Sequence, residues 1–358
     1  MKDNYLIDGH KLYWHLDRVL EWQEKDVISP VYIEVSPVSF CNNRCVFCGV
    51  DFAMDHKSRL DTDMFCQRLR EMGRLGVRSI MFAGEGEPLL HKDIALFVRT
   101  AKEAGIDVSM TTNGSLGSRK LWEEILPHLT WIRFSVDAGT PVTYAKVHGV
   151  PESFFEKVVN SVTDAVKVKR ENDLQVTIGV QFLVIKENMG DIEDSIKIFS
   201  GIGVDYFSLK PYSLNPNMLQ KRDEHYTAET ARSIQEIVDR HKNNCRTELI
   251  FRKNAMNKYM VGENTFSHCY ALPFYGYLSS GGEFITCKEF IGDERFSAGN
   301  IYEKDMAAIF YGKDRRESIE YGREIMEVKN KCRLNCRMAR INEFLEVIEN
   351  EPEHVNFI

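Results

Sequence analysis

The chain has no run of eighteen consecutive apolar residues, and its start, "MKDNYLIDGHKLYWHL", lacks the apolar core of a secretory signal. Membrane spans and export signals are therefore absent from the sequence pattern, and a cytoplasmic protein is expected. There is no low-complexity tract and no internal repeat, which excludes solenoids and disordered linkers. Nor is there a basic patch. The formal net charge is -7 and Lys and Arg are scattered, so neither a nucleic-acid backbone nor an anionic membrane is an expected partner. Among the ten histidines no helical two-histidine zinc motif or triad-like setting occurs, and His91 and His268 merely flank other motifs. A small-molecule or peptide substrate fits these exclusions best.

Cysteine is plentiful. Nine cysteines in a compartment that keeps thiols reduced do not make a disulfide framework. Seven fall into two groups, Cys41, Cys45 and Cys48, and then Cys269, Cys287, Cys332 and Cys336. Cys66 reads as a small buried hydrophobe and Cys245 as an incidental thiol.

Between residues 30 and 255 short apolar runs alternate with segments of helical period, the pattern of a parallel sheet covered by helices. Six strands are expected at 31–35, 79–84, 107–114, 131–138, 175–185 and 205–212, with "TELIFRKN" (247–254) as a possible seventh. Six are too few for a closed eight-stranded barrel. After about residue 260 the texture turns Gly- and Cys-rich, then ends in a helical tail. The expected organisation is an N-terminal helical extension (1–30), a partial barrel (31–255), a small cysteine-bearing domain (256–340) and the tail (341–358).

In parallel α/β folds chemistry gathers where strands end. Here the cysteine loop follows strand one, "GEGEP" strand two, "TTNG" strand three, "SVDA" strand four and "LKPY" strand six. A structural zinc site takes four ligands, yet no fourth cysteine or paired histidine follows Cys48 at the usual spacing. Three thiolates on a four-iron cube leave one iron free for another ligand.

The C-x3-C-x2-C spacing, with Phe47 before the last cysteine, resembles the cluster loop of the radical S-adenosylmethionine (SAM) superfamily. The resemblance implies a partial (β/α)6 TIM-like barrel and a [4Fe-4S] cluster with an open iron site. It also implies reductive cleavage of S-adenosylmethionine to a 5'-deoxyadenosyl radical that abstracts a substrate hydrogen, with a flavodoxin or ferredoxin-type reductant. "GEGEP" looks like the family's glycine-rich segment, so Gly84, Glu85, Gly86 and Glu87 are expected near the amino group of S-adenosylmethionine, with either glutamate facing it. Asn113, Ser135 and Asp137 are expected at its ribose and carboxylate; Gln181, inside the barrel, is a further candidate contact. On spacing alone the four later cysteines, as two separated pairs, could hold a structural zinc or a cube of iron. "CYALPFYGYLSSGGEFITCKEF" resembles the opening of the SPASM module and its shortened twitch form, implying one auxiliary [4Fe-4S] cluster on Cys269, Cys287, Cys332 and Cys336. The closing C-x3-C departs from the two-residue gap of that pattern.

Twitch enzymes resembling 2-deoxy-scyllo-inosamine dehydrogenase oxidise a ring hydroxyl. The expectation is therefore an oxidoreductase acting on a small carbohydrate or aminocyclitol, with the auxiliary cluster as electron acceptor. Peptide- or protein-modifying SPASM enzymes and redox-neutral sugar epimerases are the alternatives. About thirty residues precede strand one, too few for the leader-peptide domain common among peptide enzymes. Arg252, Lys210 and Tyr212 are the candidates for a base or hydrogen-bond partner at the carbinol.

Overall fold

The computed structural model describes residues 3–357, with the backbone alone at Lys329 and Asn330. Met1, Lys2 and Ile358, the outermost parts of the expected extension and tail, lie outside the described residues. The strands are β1 (Tyr32–Val35), β2 (Ser79–Phe82), β3 (Asp107–Thr112), β4 (Trp131–Ser135), β5 (Thr177–Val184), β6 (Tyr206–Pro211) and β7 (Glu248–Phe251), followed by β8 (Tyr275–Leu278), β9 (Glu283–Ile285) and β10 (Ser297–Asn300). They form one ten-stranded sheet in the order β10-β9-β8-β1-β2-β3-β4-β5-β6-β7. β1 to β7 pair in parallel, as the βαβ pattern requires.

The helices that cover this sheet are α1 (Leu16–Glu24), α2 (Thr62–Arg74), α3 (Ile94–Glu103), α4 (Arg119–Ile125), α5 (Pro141–His148), α6 (Ser153–Glu171), α7 (Ile192–Ile202), α8 (Ala228–His241) and α9 (Lys253–Val261). Shorter α10 (Met306–Tyr311), α11 (Lys313–Glu320) and α12 (Val328–Lys331) precede the tail helix α13 (Ala339–Glu349). Caps follow local chemistry: the Asp61, Ser118 and Thr140 side chains accept from backbone N–H groups at the starts of α2, α4 and α5.

Two faces divide the labour. Ile33, Val35, Ile80, Phe82, Val108, Met110, Ile132, Phe134, Val180, Phe182, Phe207 and Leu209 are fully buried beneath the helices and form the main core. The alternate positions, Glu34, Met81, Thr111, Arg133, Ser135, Gln181 and Lys210, face the lumen and are largely polar. Burying each large apolar side chain contributes about 2 kcal/mol, so the outer face stabilises the sheet and leaves the inner face free for function.

The sheet extends beyond the six strands expected. β7 adds a seventh parallel strand, and the C-terminal cysteine-bearing segment continues the same sheet, because β8 pairs in parallel with β1 (Glu34 opposite Tyr277) and leads into the β8–β9 hairpin. The expected boundary at residue 255 falls within α9. Buried Arg315 ties N-terminal and C-terminal segments together, donating to the Ile28, Phe310 and Pro273 carbonyls at 2.6, 2.8 and 2.8 Å.

Glu34 holds the edge β8 joins. Its side chain is 3% exposed and pairs with Lys288 at 3.1 Å and Arg337 at 3.2 Å, both from the C-terminal segment. Burial pushes its carboxyl up, but Lys288 and Arg337 outweigh this and hold it below the ordinary value of 4.5. A carboxylate depressed in the folded state stabilises above its unfolded value, and that stability is lost as pH falls through the folded value. Glu34→Gln should therefore cost roughly 3 kcal/mol at pH 7 by leaving two cations unpaired. The gap between wild type and variant in denaturant unfolding should close as pH drops below 4.5.

Candidate active site

The first cysteine loop is anchored to the end of α5. Arg44 N–H donates to the His148 carbonyl at 2.8 Å and Val46 N–H to the Val147 carbonyl at 3.0 Å. Gly149 ends α5 at φ 62°, and a Cβ there would stand 2.5 Å from the Arg44 carbonyl oxygen. The close approach needs glycine. His148, which the sequence reading passed over, lies fully in this junction: Nε2 is 2.6 Å from the Val136 carbonyl and Nδ1 is 3.1 Å from Cys45 Sγ. With Nε2 carrying the proton, Nδ1 faces the thiol as an acceptor. Burial pushes the imidazole down to about 4, keeping it neutral. The Phe47 ring packs edge-on against His148 at 5.6 Å. The signal for His148 was a helix-ending His-Gly pair soon after the polar end of strand four.

The "GEGEP" loop closes the opposite side. A Cβ on Gly86 would lie 2.3 Å from the Phe40 carbonyl and 2.5 Å from the Val38 carbonyl, so this glycine lets β2's loop seat against the chain entering Cys41. Gly84 has φ 112° and sits against Ser36 and Tyr277. The two glutamates diverge. Glu87 accepts from Thr112 Oγ1 (2.5 Å), Asn113 N–H (2.8 Å) and Leu89 N–H (3.1 Å), beside Cys41. Glu85 turns to the C-terminal segment, accepting from Tyr277 (3.0 Å) and Ser280 (2.6 Å), and burial pushes its carboxyl up to about 7.

Asn113 reaches the cysteine loop, donating to Asn42 Oδ1 at 2.8 Å, with Cys41 Sγ at 3.9 Å. Ser135 lies opposite Gln181 in the β4–β5 register, both on the lumen face. Asp137, at φ 56°, accepts from the Leu183 N–H and stands 3.6 Å from His148; burial pushes its carboxyl up to about 7. Lys210 projects into the lumen from β6, and burial, then Arg252, Arg133 and Arg333, drive its amine well below the usual lysine range. Arg252 lies 3.6 Å from Asp8. The Tyr212 hydroxyl is 3.2 Å from Met218 Sδ. His91 instead supports local structure, with Nε2 2.9 Å from the Leu60 carbonyl.

The second cysteine group also converges. Burial pushes the Cys269 thiol up to about 12, with Cys336 the next cause, and Cys336 likewise raises Cys287 and Cys332. The C-x3-C spacing thus puts Cys336 among the other three. Asn342 of α13 donates to Cys269 at 3.6 Å. Between the two thiol groups lies a charged lumen of Glu34, Lys288, Arg337, Arg333 and Glu289, with Arg333 bonded to Glu289 at 2.9 Å and Lys288 sensed by both Cys48 and Cys336. Sequence reading missed these charges; inward parity in "VYIEV" and "WIRFS" was the signal for Glu34 and Arg133. A separate cleft of ≈ 800 Å³, lined by Tyr5, Lys169, Asp205 and Glu248, lies near the strands' amino-terminal ends and holds no grouped cysteines.

Comparison with known proteins agrees with this geometry. The Radical SAM superfamily model matches residues 35–199, which supports placing the chain in that superfamily. A "Probable GTP 3',8-cyclase" of Sulfurisphaera tokodaii is 27% identical over 58% of this chain and 63% of its own length. Another, from Methanosarcina mazei, is 30% identical over 41% of this chain and 47% of its own length. The chain thus spans less than two thirds of the length of these curated relatives. Among solved structures, Streptococcus suis SuiB bound to S-adenosylmethionine aligns with TM-score 0.67 and 18% identity, covering 95% of this chain and 79% of that one. The structure of anSMEcpe with bound AdoMet aligns with TM-score 0.59 and 15% identity, covering 88% of each. At such identities the likeness establishes the fold, an α/β partial barrel. No helix among the described residues is long and apolar enough to cross a membrane.

The superfamily implies a [4Fe-4S] cluster and S-adenosylmethionine, and the donor sets fit. Buried thiols give up their protons only beside compensating positive charge, which iron supplies. Among the described residues no three His, Cys, Asp or Glu side chains close on a point fit for one metal ion. Cys41, Cys45 and Cys48 would hold the first cluster, and Cys269, Cys287, Cys332 and Cys336 are consistent with an auxiliary one. Reconstituted wild type should carry about eight irons, and Cys336→Ala about four. Gly86→Ala, which displaces the chain leading to Cys41, should also lose about half, while circular dichroism shows a folded chain.

Proposed function

We propose that this chain is a radical SAM oxidoreductase that oxidises an alcohol on a small carbohydrate or aminocyclitol. The observation that carries the reading is the placement of two thiol groups on either side of one polar lumen into which the Lys210 amine projects. When bound, the first cluster with S-adenosylmethionine would supply a 5'-deoxyadenosyl radical for hydrogen abstraction, and the auxiliary cluster a one-electron acceptor.

The residues divide the remaining work. Cys41, Cys45 and Cys48 hold the cluster loop, with His148 and Gly149 fixing its position. Glu87, Thr112 and Asn113 brace the mouth at which S-adenosylmethionine binds, and Gly84 and Gly86 let the backbone come close. Ser135 and Gln181 face it from β4 and β5. Loss of a hydrogen atom and an electron from the carbinol carbon leaves the hydroxyl proton to be removed, and Lys210 takes it. A lysine held towards its neutral form by burial and arginines suits a base near neutral pH. Arg252, braced by Asp8, orients the substrate, and Tyr212 closes the pocket wall. An external flavodoxin or ferredoxin-type protein supplies electrons.

A second reading, radical rearrangement of a purine nucleotide, draws support from the GTP 3',8-cyclase names of the curated relatives. A peptide substrate draws on the solved complex of SuiB with its precursor peptide. Products separate the readings. Anaerobic incubation with dithionite and S-adenosylmethionine should yield 5'-deoxyadenosine and methionine by mass spectrometry, and Cys45→Ala should abolish both. The double variant Cys269→Ala/Cys287→Ala should still cleave S-adenosylmethionine yet form no ketone; undiminished ketone from it would remove the auxiliary cluster from the oxidation.

A further inference from the structure

The lumen carries more positive charge than the chain neutralises. Arg133, midway along β4, makes one side-chain hydrogen bond, from a terminal guanidinium nitrogen to Thr111 Oγ1 at 3.2 Å. Its Nε is buried with no hydrogen-bond partner, and that of Arg252 has only the long contact to Asp8. Around them, Arg252 meets Asp8 only at 3.6 Å, Arg333 takes Glu289, and Lys288 and Arg337 share the single carboxylate of Glu34. Among these side chains five cations face three carboxylates. Lys288, Arg333 and Arg337, however, adjoin the auxiliary cysteines, where a cluster on four thiolates would bring about two negative charges of its own. The surplus left for another ligand therefore sits at Arg133 and Arg252, which have Asp8 alone between them. Lys210 is outside this count because burial and these arginines drive it towards neutrality. Asp137 lies within electrostatic reach of Lys210 and Arg133, but burial outweighs them and raises its carboxyl to about 7, so it offsets Arg133 only in part.

Such a surplus is unexpected in a chain of net charge -7. Unpaired buried guanidinium groups cost several kcal/mol of lost hydration unless something compensates. Arg337 lies near enough to Arg133 to repel it, and the carboxylate that Arg133 feels, Glu34, is already shared by Lys288 and Arg337, so the chain compensates Arg133 only in part. Guanidinium forks bind oxyanions bidentately, and a low-dielectric lumen strengthens that attraction.

We propose that the substrate carries a phosphate ester and that Arg133 anchors it within the lumen. This rests on the reading of the chain as an S-adenosylmethionine enzyme, and it names the chemical class of what that site takes. A monocarboxylate brings one negative charge and two oxygens, whereas a phosphate monoester brings about 1.5 to 2 at neutral pH and three oxygens for the two guanidinium groups. The one carboxylate of S-adenosylmethionine leaves that surplus unmet, since its amino and sulfonium groups add positive charge.

Matched ligands test this on the reconstituted full-length holoprotein with S-adenosylmethionine bound. Titration calorimetry would compare glucose with glucose 6-phosphate, guanosine with GTP, and gluconate as a carboxylate control. In at least one pair the phosphorylated member should bind about tenfold tighter than its partner, and Arg133→Met should erase that preference. Arg133→Lys should recover part of it, keeping the charge and losing the fork. The affinity for S-adenosylmethionine should change less than about twofold. The sugar and nucleotide pairs distinguish which phosphate ester is taken. Equal affinities within both pairs, or no binding of any member, would overturn the proposal. Gluconate binding as tightly as glucose 6-phosphate would overturn the phosphate assignment. An Arg133→Met variant that loses S-adenosylmethionine affinity as strongly would give the arginine to the cofactor's carboxylate. Failure to form 5'-deoxyadenosine, by contrast, would count against the radical reading and leave a phosphate preference standing.

Discussion

The buried carboxylate of Glu34 is the constraint on which the arrangement turns. It sits on the lumen face of β1, the strand where barrel and C-terminal segment meet, and accepts two cations from that segment. An unpaired carboxylate at that depth would cost several kcal/mol, so the barrel edge is incomplete without Lys288 and Arg337. Those residues adjoin Cys287 and Cys336 in sequence. Docking the segment therefore places the second thiol group beside the lumen in the same step that satisfies Glu34.

Pairing of β8 with β1 extends the same logic. A partial barrel leaves the outer edge of β1 with unpaired backbone groups, a liability in any sheet. Here β8 satisfies them in parallel register and β9 and β10 carry the ladder outward. Glu85 adds a side-chain link, taking hydrogen bonds from Tyr277 and Ser280 of the added segment while its neighbour Glu87 faces the first cysteine loop. Two glutamates two residues apart thus serve the two halves of the site.

The strands and the cysteine groups were legible in the sequence because each rests on local pattern: apolar runs of strand length separated by helical period, and thiols at loop spacing. The expected strands coincide with β1 to β7 to within a few residues. What local pattern could not carry was long-range pairing. The parallel match of Tyr275–Leu278 to β1 joins segments more than two hundred residues apart, and no periodicity announces it. His148 was missed for a related reason, since a histidine at a helix end resembles an ordinary cap until the fold brings Cys45 to 3.1 Å from it. That Glu85 turns to the C-terminal segment while Glu87 turns to Thr112 and Asn113 also needed the fold, because both flank Gly86 and only the packing of β8 separates them.

Arg133 shows how the inner face differs in kind from the outer one. Its neighbours Ile132 and Phe134 are fully buried under helices and interchangeable in principle with other apolar side chains of like volume. Arg133 on the same strand has no such latitude. Its burial is offset only in part, by Thr111, the Trp131 ring and the shared carboxylate of Glu34, so it lowers the stability of the folded chain. A fold that tolerates this cost on the lumen face of β4 holds there, on the proposal made above, a charge pre-arranged for a bound anion. Electrostatic preorganisation of that kind has its value when an oppositely charged group arrives, since the cost of desolvating the arginine has already been met in folding.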